Sequence, residues 1–470
     1  MKKVKKIIAL LCMATLIFGI VACAGTDTPT APPPTPPPAT DPPATSPPAP
    51  PAPPGRIELV FSLWGDPSEQ DATQAVLNEY NNMQDKVWVT ALQIPNEEYA
   101  DVLQTMATAG NLPDCGMVNE PTVIGWARDG LLMPIDIYAG QSNRPLDYLA
   151  FKDGGKTIAY SGANEVLALW YNRDMFDAAG VDYPPVTMNT AWSWDEFIEV
   201  AKKLTFDANG NNPGDDGFDK DNIVQYGAYV NQWTWQLEVW ALSNGGKWFS
   251  EDGQSIVFDA AAIEGMQKVL DLHLVHNVAP FNAATTDSGF GDSLGAGNVA
   301  MCTEGQWAVG FAGGVFDQDY GVAVLPYMQR KANICTGGPV GVFAGTQYPE
   351  EVAEFVRWYT DEDSNFGLIE AGWWMPTKMN WYEEPLLTKW IDDVPLRARL
   401  PAEAYRTAVV DVALDLTVTQ SAGWYYTPHT IEIINRILNP ALVEAIRGNK
   451  TVAQVIEEVR PAMEAALNIS

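Results

Sequence analysis

The fold predicted for this chain is decided by residues 165–204, EVLALWYNRDMFDAAGVDYPPVTMNTAWSWDEFIEVAKKL. The apolar run from Val166 to Tyr171 is rich in strand-forming residues and is expected to be a buried strand. A short amphipathic helix is predicted from Met175 to Ala179, where Gly180 ends it. After a proline-containing loop, acidic residues in the first turn favour a second helix from Trp194. This order indicates an α/β fold, and no catalytic group stands out in it.

The N-terminus has the pattern of an export signal. A basic start, Met1–Lys6, precedes an apolar run from Ile7 to Val21. That run is too short and ends too abruptly to favour a transmembrane helix. The residues that end it, Ile20-Val21-Ala22-Cys23, resemble the lipobox of bacterial lipoproteins. The resemblance implies a signal peptide over residues 1–22 and a lipid-modified Cys23; an ordinary signal followed by a chance cysteine is the alternative.

Residues 23–55 are expected to form a tether. After Cys23 the segment is almost entirely Pro, Ala, Thr, Ser and Gly, a composition that cannot bury apolar surface. Proline favours extended polyproline II at about 3.1 Å per residue, so the segment could hold a folded body up to ~100 Å from a membrane anchor.

Length and charge bound the class of protein. At 470 residues and 47% hydrophobic, the chain can bury large cores and is expected to have more than one domain. The formal net charge is −31, from 59 acidic and 28 basic residues. Since nucleic-acid binding needs a basic surface, that role is unfavourable.

The body begins with alternating strands and helices. Strands are predicted near residues 56–64, 87–94 and 115–118, with helices at 70–82 and 99–109 between them. This order is typical of a parallel sheet with helical crossovers, in which ligands bind beyond the carboxyl ends of the strands. The residues predicted at those ends are Trp64, Asp66, Asn119 and Glu120.

Several motifs follow one another over nearly the whole body: Leu112-Pro113-Asp114, Gly130-Leu131-Leu132-Met133-Pro134-Ile135, Tyr171-Asn172, Ser193-Trp194 with Glu196-Phe197, and Gly297–Met301 with Gly305 and Trp307. Taken together and in this order, they resemble the extracellular solute-binding proteins of ABC importers, particularly the sugar-binding group. The resemblance implies a type II periplasmic-binding-protein-like fold, in which two α/β lobes are joined by a hinge and enclose a ligand cleft. It places the N-terminal lobe at residues 56–165 and 336–385, and the C-terminal lobe at 166–335 and 386–470.

The same resemblance implies a set of ligand-binding residues. A pyranose packs one apolar face on an aromatic ring, while its hydroxyl groups need fixed polar partners. Family position favours Asp66, Asn119, Glu120, Glu304, Trp307, Trp424 and Tyr425. Chemistry and approximate position add Trp64, Tyr171, Trp233, Trp235, Trp373 and Trp374.

The function implied is that of a lipid-anchored, extracytoplasmic receptor that captures a mono- or oligosaccharide and delivers it to ABC permease transmembrane subunits. It is expected to act as a monomer, to need no cofactor and to catalyse no reaction. Two alternatives stay open. The same fold could bind a polyamine, a phosphodiester or a peptide. A glycosidase would need only two carboxylates, for which Asp66, Glu120 and Glu304 are available.

Other enzyme classes find little support. The chain has three histidines and no Gly-x-x-x-x-Gly-Lys phosphate loop. Asp207, Asn209 and Asn211 alternate as in a calcium loop, but no glutamate closes the pattern, so a polar turn-rich loop is favoured. Cys302 and Cys335 could form a disulfide, although buried free thiols are favoured.

Overall fold

The computed structural model describes residues 52–65, 67–95, 98–135, 149–232, 234–281, 297–309, 319–394, 400–427 and 429–468. The predicted signal, the lipid-modified cysteine and the tether up to residue 51, together with Asp66 and Trp233, lie outside these residues. Only the backbone of Trp235 and Trp424 is described. Among the helices that the structure describes, none combines the length and the apolar composition needed to span a membrane.

Lobe one is built on a seven-stranded sheet. Its strands are β1 Ile57–Leu63, β2 Val87–Gln93, β3 Cys115–Met117, β4 Leu132–Met133, β5 Ala150–Asp153, β6 Lys156–Ser161 and β14 Pro339–Phe343. Strand β1 pairs in parallel with β2 and β3, as the predicted crossovers require. Strand β14 enters from much later in the chain and pairs antiparallel with β3 and β6. The helices of this lobe are α1 Pro67–Met83, α2 Tyr99–Ala109, α3 Glu120–Arg128, α8 Pro349–Tyr359 and α9 Gly367–Glu370.

Lobe two is built on a six-stranded sheet. Its strands are β7 Glu165–Asn172, β10 Tyr229–Val230, β11 Met301–Gly305, β12 Tyr320–Ala323, β13 Asn333–Thr336 and β15 Thr419–Ser421. A separate hairpin consists of β8 Phe206–Asp207 and β9 Ile223–Gln225. Strand β7 lies at the centre, antiparallel to β11 on one side and to β12 and β13 on the other.

The remaining helices follow in chain order. The α-helices are α4 Arg173–Ala179, α5 Trp194–Lys203, α6 Thr234–Ser243, α7 Ala260–Leu274, α10 Leu386–Ile391, α11 Ala402–Tyr405, α12 Asp411–Leu414, α13 Asn439–Ile446 and α14 Val452–Leu467. Short 3₁₀-helices occur at Met188–Thr190, Met379–Tyr382 and Gly423–Tyr426, and π-helices at Arg406–Val410 and Glu432–Leu438.

Residues 165–204 fold as predicted. All eight residues of β7 are buried. Asn172 ends the strand and caps α4, since its side chain accepts a hydrogen bond from the Met175 backbone N–H at 3.1 Å. Gly180 ends the helix in the left-handed region, at φ 64°. Ser193 and Glu196 then form a capping box at the start of α5.

The chain passes between the two sheets at residues 162–164 and again at 337–338. A third passage lies between α9 and α11, and α11 packs on β12. Residues 373–378, which we call the boundary segment, lie along the same border. The backbone N–H of Gly162 donates to the Gly338 carbonyl at 3.2 Å. That of Asn164 donates to the Met375 carbonyl at 3.2 Å, so hydrogen bonds join all three pieces of chain.

Cys302 and Cys335 are free thiols. Cys302 lies on β11 opposite Trp170, and Cys335 lies on β13 opposite Val166, so β7 separates them. Two strand spacings amount to roughly 10 Å, beyond the Cα separation that a disulfide spans. The buried-thiol alternative is therefore the one found.

The polar loop after α5 is organised around Asp207. Its carboxylate accepts hydrogen bonds from the backbone N–H groups of Asn209, Asn211 and Asp219 at 2.8 to 2.9 Å. Burial opposes ionisation, but these bonds outweigh it and hold the pKa of Asp207 well below its usual range. No group of potential metal ligands occurs among the described residues. The hydrogen bonds account for the loop conformation, and a polar loop without calcium stays the prediction.

Replacing Gly337 with alanine is expected to destabilise the fold. An added Cβ would lie 2.0 Å from the backbone carbonyl oxygen of Ala163, which no side-chain rotation can relieve. Overpacking of this kind typically costs about 1–3 kcal/mol. Gly345→Ala is the matched control, since its Cβ would meet nothing within 4 Å. Chemical denaturation should give a lower midpoint for Gly337→Ala alone; equal midpoints for the two variants would contradict this account.

Candidate functional site

The predicted strand-end residues of lobe one that the structure describes, Trp64, Asn119 and Glu120, lie beside the passages between the lobes. Trp64 follows β1 and is partly exposed. Its ring packs edge-on against Tyr99, with centroids 5.1 Å apart. A Cβ atom added at Gly338 would lie 3.3 Å from the Cζ2 atom of Trp64. Because Gly338 has no side chain and φ 53°, the returning chain can approach the indole closely.

Asn119 and Glu120 begin helix α3 after strand β3. The Asn119 side chain makes no capping bond to the helix, and the residue is partly exposed. The Glu120 carboxylate is held by the passage instead. Its Oε1 accepts hydrogen bonds from the Thr336 hydroxyl and from the backbone N–H groups of Gly337 and Gly338, the latter two at 3.2 and 3.4 Å. Glu120 therefore ties lobe one to the second passage.

Glu165, the first residue of β7, is a buried carboxyl that the sequence analysis did not select. Burial, followed by repulsion from Glu69 and Glu120, raises the pKa of Glu165 well above its usual value, while a hydrogen bond with the Gln306 side chain opposes the shift. Three carboxyl groups thus approach the first passage. The sequence signal for this buried carboxyl was its position, since Glu165 directly precedes the apolar run Val166–Tyr171.

In lobe two, Glu304 lies at the end of β11 and is fully buried. Its carboxylate accepts hydrogen bonds from the side-chain amides of Asn231 at 3.3 Å and Gln236 at 3.2 Å, and from the backbone N–H of Gly305 at 2.9 Å. These amides come from the end of β10 and from the start of α6. Glu304 is thus enclosed by hydrogen-bond donors of its own lobe.

Trp307 is partly exposed, and its ring lies over Gly305. The residue before it, Gln306, is fully buried and was not predicted as a site residue. The backbone N–H of Gln306 donates to the Val166 carbonyl at 3.0 Å, and its side-chain amide donates to the Trp373 carbonyl at 2.7 Å. These bonds place Trp307 beside the first passage and the boundary segment.

Three other aromatic candidates, Trp373, Trp374 and Tyr425, are buried. Trp373 and Trp374 are 5% and 6% exposed, and the Trp374 ring would contact a Cβ on Gly162. Tyr425 packs on Phe151 of lobe one with ring centroids 5.4 Å apart. Its hydroxyl donates to the Cys335 carbonyl at 2.7 Å.

Tyr171 lies at the far end of β7, seven residues beyond the first passage. Its ring packs against Phe176 and Tyr183 and over Gly321. That is an aromatic cluster of lobe two. The structure therefore brings Trp64, Asn119, Glu120 and Trp307 to the passages, and leaves Tyr171 apart from them.

The lobes also contact each other away from the passages. Helix α3 packs against the 3₁₀-helix Gly423–Tyr426. Arg436 faces Asp101 of α2 with 3.7 Å between nitrogen and oxygen, and both side chains are more than half exposed. Exposed pairs of this kind contribute little stability, so packing around Tyr425 is the firmer contact.

Comparison with known proteins places the chain in a family. Residues 66–366, more than half of the chain, match the profile of the bacterial extracellular solute-binding proteins. The chain therefore belongs to that family. A putative binding protein of Brucella abortus (strain 2308) is 24% identical over 176 residues, which are 36% of this chain and 39% of that protein. The match to this curated relative thus spans well under half of its length.

Solved structures support the same two-lobed fold. An ABC substrate-binding protein of Listeria monocytogenes in complex with cycloalternan superposes with a TM-score of 0.73 at 20% identity, covering 88% of this chain and 100% of that one. The maltose/maltodextrin-binding domain of Bdellovibrio bacteriovorus bound to maltotriose gives 0.70 at 16% identity, with the same coverage. A solute-binding protein of Thermotoga lettingae bound with alpha-D-tagatose gives 0.68 at 18%, also with that coverage. The fold is type II periplasmic-binding-protein-like, as predicted.

Replacing Glu165 with glutamine is expected to change how stability depends on pH. The raised pKa means that the folded protein keeps this proton to a higher pH than the unfolded chain does. The group's contribution is therefore fully present below the unfolded value of 4.5 and falls as the pH rises toward the folded pKa. Glutamine does not titrate, so the melting temperature of Glu165→Gln should exceed that of the wild type by a margin that grows from pH 4.5 to 7.

Glu196→Gln provides a control of opposite sign. Hydrogen bonds from Ser193, the backbone bond first, lower the pKa of Glu196. Its contribution is present above the unfolded value of 4.5 and is lost as the pH falls. A margin for Glu165→Gln that stays constant across the pH range would contradict the assignment.

Proposed function

We propose that this solute-binding protein captures a mono- or oligosaccharide between its two lobes and delivers it to the transmembrane subunits of an ABC importer. The observation that carries the proposal is the pair of partly exposed indoles, Trp64 from lobe one and Trp307 from lobe two, beside the passages. An indole face offers a flat apolar surface that suits the C–H face of a pyranose. One ring from each lobe would give the ligand contacts that favour closure.

The polar groups near the passages favour a neutral solute. The carboxylates of Glu120 and Glu304 already accept two or more hydrogen bonds from protein donors. Glu165 is a buried carboxyl whose raised pKa favours its neutral form. A polyamine would instead be attracted by ionised carboxylates without partners. Saccharides are also the ligands named for the Listeria, Bdellovibrio and Thermotoga proteins of the same fold.

The remaining parts of the proposal concern the cell. Export by the N-terminal signal, lipid attachment at Cys23 and the proline-rich tether would hold the body at the outer face of the cell membrane. The chain would act there as a monomer.

The lobe boundaries proposed are 56–165 with 336–385, and 166–335 with 386–470.

A thermal-shift screen of the folded protein against a saccharide panel tests the ligand class. A solute that binds only the folded state adds about 2.7 kcal/mol of stability at a hundredfold excess over its Kd. We expect a rise in melting temperature with one saccharide class, and none with a polyamine, a phosphodiester or a peptide. In Trp307→Ala the Kd should rise about tenfold or more, since a large aromatic surface is lost.

Trp358→Ala is the matched control for that variant. Trp358 is also partly buried, but its ring packs on Tyr80 in lobe one, 4.8 Å between centroids. It should lower the melting temperature without changing the saccharide Kd. A rise in melting temperature with a polyamine alone would contradict the saccharide assignment and indicate a polyamine ligand instead. New reducing ends after incubation with oligosaccharides would indicate a glycosidase and overturn a binding-only function.

A further inference from the structure

The strands on either side of the two passages form one antiparallel ribbon that runs from sheet one into sheet two. On the side of lobe one, Ser161 of β6 pairs with Pro339 of β14. On the side of lobe two, Glu165 of β7 pairs with Thr336 of β13. The lobes are thus joined by a continuous hydrogen-bonded structure and not by two independent linkers.

The two sides of this ribbon have unequal lengths at the border. Residues 162–164 lie between the flanking pairs on one strand, and only residues 337–338 lie between them on the other. The first two residues of the longer side donate backbone N–H groups to the two carbonyls of the shorter side, at 3.2 and 3.0 Å. Asn164 is left over. One extra residue on one strand constitutes a β-bulge, which bends the ribbon and increases its twist.

Asn164 is bonded to the boundary segment and to the residues after it. Its backbone N–H donates to the Met375 carbonyl at 3.2 Å. Its side-chain N–H donates to the Tyr382 hydroxyl at 2.9 Å, and that hydroxyl donates to the Pro376 carbonyl at 2.6 Å. The bulge therefore has two links to a third piece of chain.

The boundary segment is itself attached to both lobes. At its start, the Trp373 carbonyl accepts the hydrogen bond from Gln306 of lobe two. At its end, the backbone N–H groups of Thr377 and Lys378 donate to the Glu362 carboxylate in lobe one, each at 2.7 Å. Met375 and Pro376, the residues that Asn164 and Tyr382 contact, lie between these attachments. Because the segment is bonded to lobe two at one end and to lobe one at the other, a rotation of one lobe against the other must change the geometry at Met375 and Pro376.

The Asn164 amide is not fully satisfied in this arrangement. The residue is 0% exposed, and its side-chain carbonyl has no hydrogen-bond partner within the described part of the chain. A buried acceptor without a donor raises the free energy of the arrangement that contains it. At Asn164 the lobe arrangement seen here is therefore destabilised by the side-chain carbonyl without a donor and stabilised by the hydrogen bond to Tyr382.

We propose that Asn164 is the pivot of lobe rotation. The bulge provides the bend between the sheets, and the Asn164–Tyr382 hydrogen bond couples changes in that bend to the boundary segment. Asn164 is in this sense a positioning residue that touches no solute. The inference rests on the proposed function only in that the lobes close on a ligand.

The test measures the separation of the lobes without any ligand. Spin labels at Met83→Cys on lobe one and Val224→Cys on lobe two, both exposed positions, report the distance by pulsed electron resonance. The full chain carries Cys12→Ser and Cys23→Ser, and its other thiols are buried. Asn164→Leu and Tyr382→Phe should each broaden the ligand-free distance distribution, changing the ratio of lobe arrangements about fivefold, as one net hydrogen bond allows.

The double variant should broaden the distribution no further than Tyr382→Phe alone does, since that change already removes the hydrogen bond that Asn164→Leu removes. Asn81→Leu is the matched control, because the amide of this buried asparagine bonds only the Val89 backbone within lobe one. It should lower the melting temperature and leave the distribution unchanged. Where Asn164→Leu does not fold, Tyr382→Phe carries the test alone.

Unchanged distributions in Asn164→Leu and Tyr382→Phe would overturn the pivot, even if both variants were less stable. Additive broadening in the double variant would overturn the coupling. Failure of every saccharide to bind would overturn the proposed ligand class and leave the distance measurement, made without ligand, as a separate result.

Discussion

Gly337 and Gly338 present two backbone N–H groups toward lobe one as the chain returns from lobe two, and Glu120 accepts both. A backbone donor left unpaired in a buried place costs about 1–3 kcal/mol. The bend and the start of helix α3 are therefore held in one arrangement. Trp64 lies close to Gly338 of the same pair, so the wall of lobe one is positioned by the passage that it faces.

The wall of lobe two depends on the same border. Gln306 bonds the β7 backbone and the boundary segment, and Trp307 follows it directly. The two partly exposed indoles thus adjoin the hydrogen bonds that join the lobes. A ligand that contacts both indoles must be coupled to that angle, and by linkage the angle must affect the affinity. Variants of border residues should accordingly be assessed for lobe geometry as well as for affinity.

Local patterns were sufficient for some features and not for others. The apolar run of β7, the end of α4 at Gly180 and the start of α5 at Trp194 are set by neighbouring residues, so the sequence predicts them. The rule that ligands gather at strand ends correctly brings Trp64 and Asn119 to the border. The partners of Glu120 lie more than two hundred residues away, and no local pattern carries such a contact. For the same reason, only the register of β7 shows that a strand separates Cys302 from Cys335.

The extra residue at the border also determines which residues come directly after the bend. At a β-bulge two residues of one strand oppose one of its partner, so the ladder bends and twists there before regular pairing resumes. Pairing resumes with Glu165 opposite Thr336. The Thr336 hydroxyl donates to the Glu120 carboxylate, and Glu165 is a buried carboxyl whose pKa is raised by burial and by repulsion from Glu69 and Glu120. The residue that bends the ribbon is therefore followed at once by the pair that contacts the acidic groups of lobe one, and this joins the geometry of the border to the chemistry beside it.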